Sequence, residues 1–214
     1  MAFKLWHCKG SRSIRPLWTL EEMGLSYELE VMDFPPRFLQ PGYTDINPIG
    51  TVPFFIDSGS EDNQHDQENA VKMTESSAIC RYLVDKYGPT DLAVMPEERA
   101  YGDYLNWLYR SDATLTFPQT IVLRYTRLEP EERRVPQAAE DYELWFYSRL
   151  RSVETALEGR EYLCADRFTI ADIAVGYALA LADTLGIMEG FKSNTLDYYE
   201  RLKARPAFQK AASI

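Results

Sequence analysis

Residues 3–7 form a short apolar run that reads as a strand, ended by the polar, glycine-containing turn Cys8-Lys9-Gly10-Ser11-Arg12-Ser13. From Ile14 the period changes. Leu17, Trp18, Leu20 and Met23 share one broad helical face, with Glu21 and Glu22 on the other. Pro16 is tolerated only in a first turn, so this helix begins at Ser13 or Ile14, and Gly24 closes it. Tyr27-Glu28-Leu29-Glu30-Val31 then alternates with period two, the pattern of a strand with one buried face. Strand, helix and strand within about 30 residues predict a βαβ unit with parallel strands and a right-handed crossover. A proline-rich irregular stretch at 33–48 leads to a strand from Val52 to Asp57, an acidic exposed loop at 58–69 and a returning strand at 70–73. Thr74-Glu75-Ser76-Ser77 opens a helix with Ile79, Tyr82, Leu83 and Tyr87 as its apolar stripe, and Gly88-Pro89 stops it.

Beyond that point strand signals vanish. Tyr101, Tyr104, Leu105, Leu108 and Leu115 mark one long helix. After a polar connection at 128–134, Leu144, Tyr147, Leu150, Val153 and Leu157 mark a second, ending at Gly159. A third opens at Phe168-Thr169-Ile170-Ala171-Asp172, where Thr169 as N-cap and Asp172 three residues on form a variant capping box. It is apolar nearly all round, which predicts a central position. Two shorter helices separated by Arg205-Pro206 finish the chain. The pattern therefore predicts an α/β domain of βαβ-ββα order at 1–88, a linker at 89–96 and an all-α domain at 97–214.

One stretch of the first domain carries a chemical implication of its own. Pro53 has no N–H to give a ladder, so it belongs at the start or edge of its strand, and the turn chemistry of Asn47-Pro48-Ile49-Gly50 leaves Val52 without an obvious sheet partner. A cis Val52–Pro53 bond would turn the Val52 N–H and C=O outward to pair with a peptide-like ligand; a trans proline opening an edge strand is the plain alternative.

Composition narrows the partners. A formal charge of −10 opposes nucleic acid and anionic membrane surfaces, which reward clustered Lys and Arg. No apolar run approaches the ~20 residues of a membrane span and residues 1–6 lack a signal-peptide pattern, so a cytoplasmic location is expected. Three separated cysteines, Cys8, Cys80 and Cys164, and two histidines suggest neither a disulfide framework nor a metal site.

Four motifs in order, Ser11-Arg12-Ser13-Ile14-Arg15 with Leu20-Glu21-Glu22, Asn47-Pro48 before Val52-Pro53, Thr74-Glu75-Ser76 with Tyr82-Leu83, and Phe168-Thr169-Ile170-Ala171-Asp172, resemble those of the cytosolic glutathione transferases along nearly the whole chain. The resemblance implies a thioredoxin-like first domain, glutathione as co-substrate, a small hydrophobic electrophile as second substrate, a homodimer, and a cis Pro53 beside the glutathione backbone. It assigns Val52 and Pro53 to backbone pairing, the helix start at Ser76 to the γ-glutamyl carboxylate and Glu75 to its ammonium; for Glu75-Ser76 plain helix capping is the structural alternative. Catalysis in such enzymes holds the glutathione sulfur as thiolate by a hydroxyl hydrogen bond at the positive end of the first helix. Ser11 and Ser13 are the two candidate donors, with Ser13 also suited to N-capping, and Arg12 is a possible source of positive potential near the sulfur or an ordinary loop arginine.

Two departures stand out. Thr51 occupies a position where relatives carry a lysine for the glycine carboxylate of glutathione, leaving Arg37 or Gln40 as substitutes, and the 58–69 insertion exceeds the usual turn. Cys8 in Cys8-Lys9-Gly10-Ser11 has the form of a monothiol redox motif, yet lies at the strand end, where a buried structural cysteine is expected. Trp107, Tyr109, Arg110, Ser111 and Thr114 are candidates for the electrophile's pocket, expected between the domains. A relative that cleaves aryl ethers or carbon–halogen bonds with glutathione, and a non-catalytic interaction module on the same fold, are the competing readings.

Overall fold

The computed structural model describes residues 3–59 and 70–214, so the expected loop at 58–69 lies, from residue 60 on, outside the described residues. The chain separates into two compact units, Met1–Thr90 together with Arg205–Ile214, and Asp91–Ala204. The expected all-helical domain thus loses its last helix to the first unit.

In the first unit β1 (Phe3–His7), β2 (Glu28–Val31), β3 (Phe54–Asp57) and β4 (Val71–Met73) form one sheet in the order β2-β1-β3-β4. β1 runs parallel to β2 and antiparallel to β3, and β3 antiparallel to β4. Side chains alternate across β1. Leu5 is fully buried beside its β3 partner Phe55, together with Leu17, Trp18 and Leu20 of α1 (Ile14–Met23) and Ile79 and Leu83 of α4 (Ser76–Lys86). Trp6 joins a second cluster with Cys8, Met32, Tyr43, Val52 and Phe54. Gly24 terminates α1 in the left-handed region at φ 62°, its N–H reaching back to the Glu21 carbonyl.

Three expectations need correction. β3 begins at Phe54, because the chain at Val52 and Pro53 has left the ladder. The stretch at 33–48 contains two single-turn helices, α2 (Pro36–Leu39) and α3 (Tyr43–Ile46). β2 is an edge strand whose Leu29 is only half-buried and whose Val31 is exposed, so its alternation does not mark a well-buried face.

The second unit starts with α5 (Tyr101–Arg110), which continues through a π-helical turn, Ser111–Thr116, into α6 (Phe117–Leu123) and a second π turn, Arg124–Leu128. The expected single helix is opened here because Pro118 has no N–H for the Thr114 carbonyl one turn back. α7 (Pro136–Ala156), α8 (Ile170–Leu185) and α9 (Ser193–Lys203) complete the unit. α8 is buried over most of its length and packs against α5, α6 and α9, and the Thr169/Asp172 capping box forms as the sequence predicts. Among the described residues no helix is long and apolar enough to cross a membrane.

Candidate active site

The Val52 edge is built from the turn before it. Tyr43 donates its hydroxyl to the Thr51 carbonyl at 2.6 Å, and Asn47 Nδ2 donates to the same oxygen at 2.8 Å. Asn47 also receives the Ile49 N–H on its side chain and the Gly50 N–H on its carbonyl, so one buried asparagine shapes the whole turn. Gly50 has φ 67°, and a Cβ there would lie 2.8 Å from Arg37 Cβ, so the close approach of these segments requires glycine. In a planar trans peptide the N–H points opposite the preceding C=O. With the Thr51 carbonyl held inward by two donors, the Val52 N–H faces away from the turn. Among the described residues it has no hydrogen-bond partner, nor has the Val52 carbonyl, while the Val52 side chain is buried in the second cluster. The Val52–Pro53 peptide is cis.

Cys8, at the end of β1, lies in that same cluster, which brings the loop at 8–13 to the Val52 edge. Inside the loop, Ser11 N–H donates to the Cys8 carbonyl at 3.2 Å and Ile14 N–H to the Ser11 carbonyl at 3.1 Å. Ser13 stands at the N-cap position of α1 but makes no capping bond with its side chain. Its hydroxyl turns back instead. It lies 2.8 Å from His7 Nδ1 and 2.7 Å from Ser11 Oγ, and accepts the Cys8 N–H at 3.2 Å. Ser13 is fully buried, whereas Ser11 is 8 % exposed and is the outer of the pair. Burial, aided by the charge of Lys9 and opposed by a bond with Ser13, pushes the His7 imidazolium down to about 4, so the ring is neutral near pH 7.

The third segment is the start of α4. Ser76 opens the helix and is buried; its Oγ accepts from Arg15 Nη1 at 3.0 Å, which ties the first turn of α1 to the first turn of α4. A fully buried guanidinium therefore stands behind a helix N-terminus, and both contribute positive potential. Glu75 is the N-cap residue by position, is exposed, and makes no capping bond with its side chain. Gln40 ends α2, exposed, and Arg12 is half-buried in the loop. Arg37 is exposed, its guanidinium over the Phe38 ring at 4.8 Å.

Ser11, Ser13, Val52, Pro53 and Ser76 thus come from three segments joined by the Trp6–Cys8–Val52 cluster and the Arg15–Ser76 bond. The side chains of Glu75 and Gln40 are not tied to them by any hydrogen bond among the described residues. Sequence reasoning missed His7 and Arg15. The strand periodicity put His7 on the same face as buried Leu5, a signal that it points toward α1. Cys8 is buried and near the Asp33 carbonyl, with Sγ at 3.6 Å, and burial together with the charge of Asp33 pushes its thiol up to about 12. Such a thiol is not a nucleophile at neutral pH. Of the candidates on α5 and the turn after it, Trp107 and Ser111 are buried, Ser111 donating to the Leu108 carbonyl at 2.7 Å, while Tyr109 is exposed and Arg110 and Thr114 half-buried.

Residues 1–85 match the N-terminal domain family of the glutathione S-transferases. Over 97 % of its length the chain is 27 % identical to glutathione S-transferase 3 of Schizosaccharomyces pombe, covering 86 % of that protein. It is 29 % identical to glutathione S-transferase GstB of Escherichia coli, with 98 % of this chain and 97 % of that one aligned. The fold superposes on glutathione transferase URE2P6 of Phanerochaete chrysosporium, solved in complex with oxidized glutathione, with a TM-score of 0.80 at 28 % identity, covering 99 % of this chain and 94 % of the other. Residues 1–85 thus carry a glutathione S-transferase N-terminal domain of thioredoxin-like fold, and nearly the whole chain is similar to glutathione transferases.

Proposed function

We propose that the protein is a glutathione transferase in which Ser11 donates its hydroxyl to the glutathione sulfur and holds it as thiolate for attack on a small hydrophobic electrophile. The observation that carries the choice of Ser11 is the enclosure of Ser13, whose hydroxyl is committed to His7, Cys8 and Ser11 while Ser11 is the outer group. In this reading the open Val52 N–H and C=O pair with the central part of the tripeptide as an added strand, beside Pro53. The α4 N-terminus at Ser76, reinforced by Arg15, receives the γ-glutamyl carboxylate, and Glu75 its ammonium. Arg37, held against Gly50, or Gln40 meets the glycine carboxylate, and Arg12 adds positive potential near the sulfur. The reading extends to a homodimer in the cytoplasm.

Two measurements test it. Retention on immobilised glutathione is expected; its loss with unchanged far-ultraviolet circular dichroism points to a non-catalytic module. Ser11→Ala is expected to lower turnover about 10- to 100-fold, the worth of one hydrogen bond to a charged group, with glutathione affinity nearly unchanged. Equal turnover in Ser11→Ala and the unaltered protein removes the serine mechanism. Mass spectrometry of products separates net addition of glutathione from cleavage of an aryl ether or a carbon–halogen bond.

A further inference from the structure

Resting on the proposed role of Ser11, the geometry points to His7 as a positioning residue that sets the direction of the Ser11 proton: an Nδ1–H imidazole, through Ser13, leaves the Ser11 hydroxyl only able to donate. A hydroxyl offers one donor and two acceptor sites, and a neutral imidazole one of each, so the chain His7–Ser13–Ser11 has two arrangements. With the proton on Nδ1, Ser13 Oγ accepts from His7 at 2.8 Å and from the Cys8 N–H at 3.2 Å, which fills its lone pairs. Its own proton then goes to Ser11 Oγ at 2.7 Å, which is shorter than the 3.4 Å path to the Cys8 carbonyl. Ser11 Oγ also accepts the Ser13 N–H at 3.3 Å. Both its lone pairs are taken, and its O–H is the one group left, directed at whatever lies outside the loop.

With the proton on Nε2 the His7–Ser13 and Ser13–Ser11 bonds reverse, while the Cys8 and Ser13 N–H groups still donate. Ser13 donates to Nδ1, Ser11 donates inward to Ser13, and Ser11 presents an oxygen lone pair outward, which repels a thiolate. The surroundings favour the first arrangement. Among the described residues the His7 ring bonds only to Ser13, with Nδ1 at 2.8 Å from its Oγ and a second contact to its backbone, and His7 is 1 % exposed. A proton on Nδ1 is used by Ser13 Oγ at 2.8 Å, whereas for a proton on the other nitrogen no residue besides Ser13 is placed to accept it among the described residues. Burial keeps the ring neutral near pH 7, so the choice of arrangement is the choice of tautomer.

The direct test is the tautomer itself. The chain has two histidines, His7 and His65, so 15N-labelled histidine and two-bond 15N–1H correlation spectra with glutathione bound read His7 without crowding, the His7→Asn spectrum giving the assignment. Nδ1–H is expected, and Nε2–H overturns the proposal. The functional test follows the thiolate absorbance of bound glutathione against pH. His7→Leu and Ser13→Ala are each expected to raise the apparent thiol pKa by about one unit, tenfold in thiolate at a fixed pH below it, with glutathione affinity unchanged. The double variant is expected to go no further than either single change. His7→Asn, whose amide still donates, is expected to stay within about threefold of the unaltered protein. An unshifted thiol in His7→Leu beside a raised one in Ser11→Ala sinks the relay and leaves the Ser11 reading standing; an unshifted thiol in Ser11→Ala sinks that reading and the relay with it. Should His7→Leu not fold, the tautomer of the unaltered protein decides.

Discussion

His7 carries two separable consequences, one for the site and one for the stability of the first unit. In the unfolded chain its imidazole takes a proton near pH 6.5, whereas burial in the fold delays this to about pH 4. Between these values the unfolded state binds more protons, so stability rises with pH there. The contribution is complete above about pH 6.5 and is lost as pH falls toward 4; it amounts to at most about 3 kcal/mol. Urea unfolding at pH 7 and pH 4.5 is expected to show a steeper loss for the unaltered protein than for His7→Asn, and equal slopes exclude the buried neutral ring. At the same scale the cysteines are consistent with one another: Cys8, Cys80 and Cys164 are all buried, and burial raises each thiol, to about 12, 11 and 11. Ser13 shows why residue roles are the least legible part of a sequence. Its N-cap position was readable, but the choice of its hydroxyl to turn back to His7 rather than cap α1 depends on where β1 delivers a side chain six residues earlier.

Elements with a local cause were readable in full. Gly24 ends α1 through its positive φ, and the Thr169/Asp172 box starts α8, each decided within a few residues. Asp172 nevertheless does more than cap. Its carboxylate accepts from Thr169 N–H at 2.8 Å, Thr169 Oγ1 at 3.1 Å, Leu163 N–H at 3.1 Å and Tyr198 hydroxyl at 2.9 Å, in full burial that raises it to about 6 despite those donors. Asp172→Ala strands these buried donors, and we expect a loss of at least about 3 kcal/mol in urea unfolding, against a smaller loss for Asp172→Asn. A cost below about 1 kcal/mol, the worth of an ordinary cap, would show that the tertiary bonds are dispensable. The elements misjudged were those without a local signature. α2 and α3 are single turns, too short for a period to emerge, and β2 alternates like a half-buried strand yet lies at the sheet edge with Val31 exposed.

On the scale of the whole chain, the far C-terminus returns to the first unit. α10 (Pro206–Ser213) packs on α1, with Phe208 edge-on to Trp18 at 4.8 Å. Glu22 holds Arg205 with both oxygens, at 2.6 and 2.8 Å, and Lys210 reaches Glu21 at 2.8 Å. Glu21 and Glu22, assigned to the polar side of α1, are therefore partly covered by a segment nearly two hundred residues away. Phe208→Ala is expected to cost about 3–4 kcal/mol, read as a lower urea midpoint with lost near-ultraviolet dichroism. An unchanged midpoint would mean that α10 is not part of the folded unit. What the amino-acid order determined alone was the order of elements, their caps and breaks, and the four motifs that mark the superfamily, because periodicity, proline and glycine act over a few bonds. The tertiary structure decided which hydroxyl faces outward, which carbonyl is held by Tyr43 and Asn47, and where α10 lands, because each depends on groups brought together from distant parts of the chain and on which of them remain unpaired once the rest are satisfied.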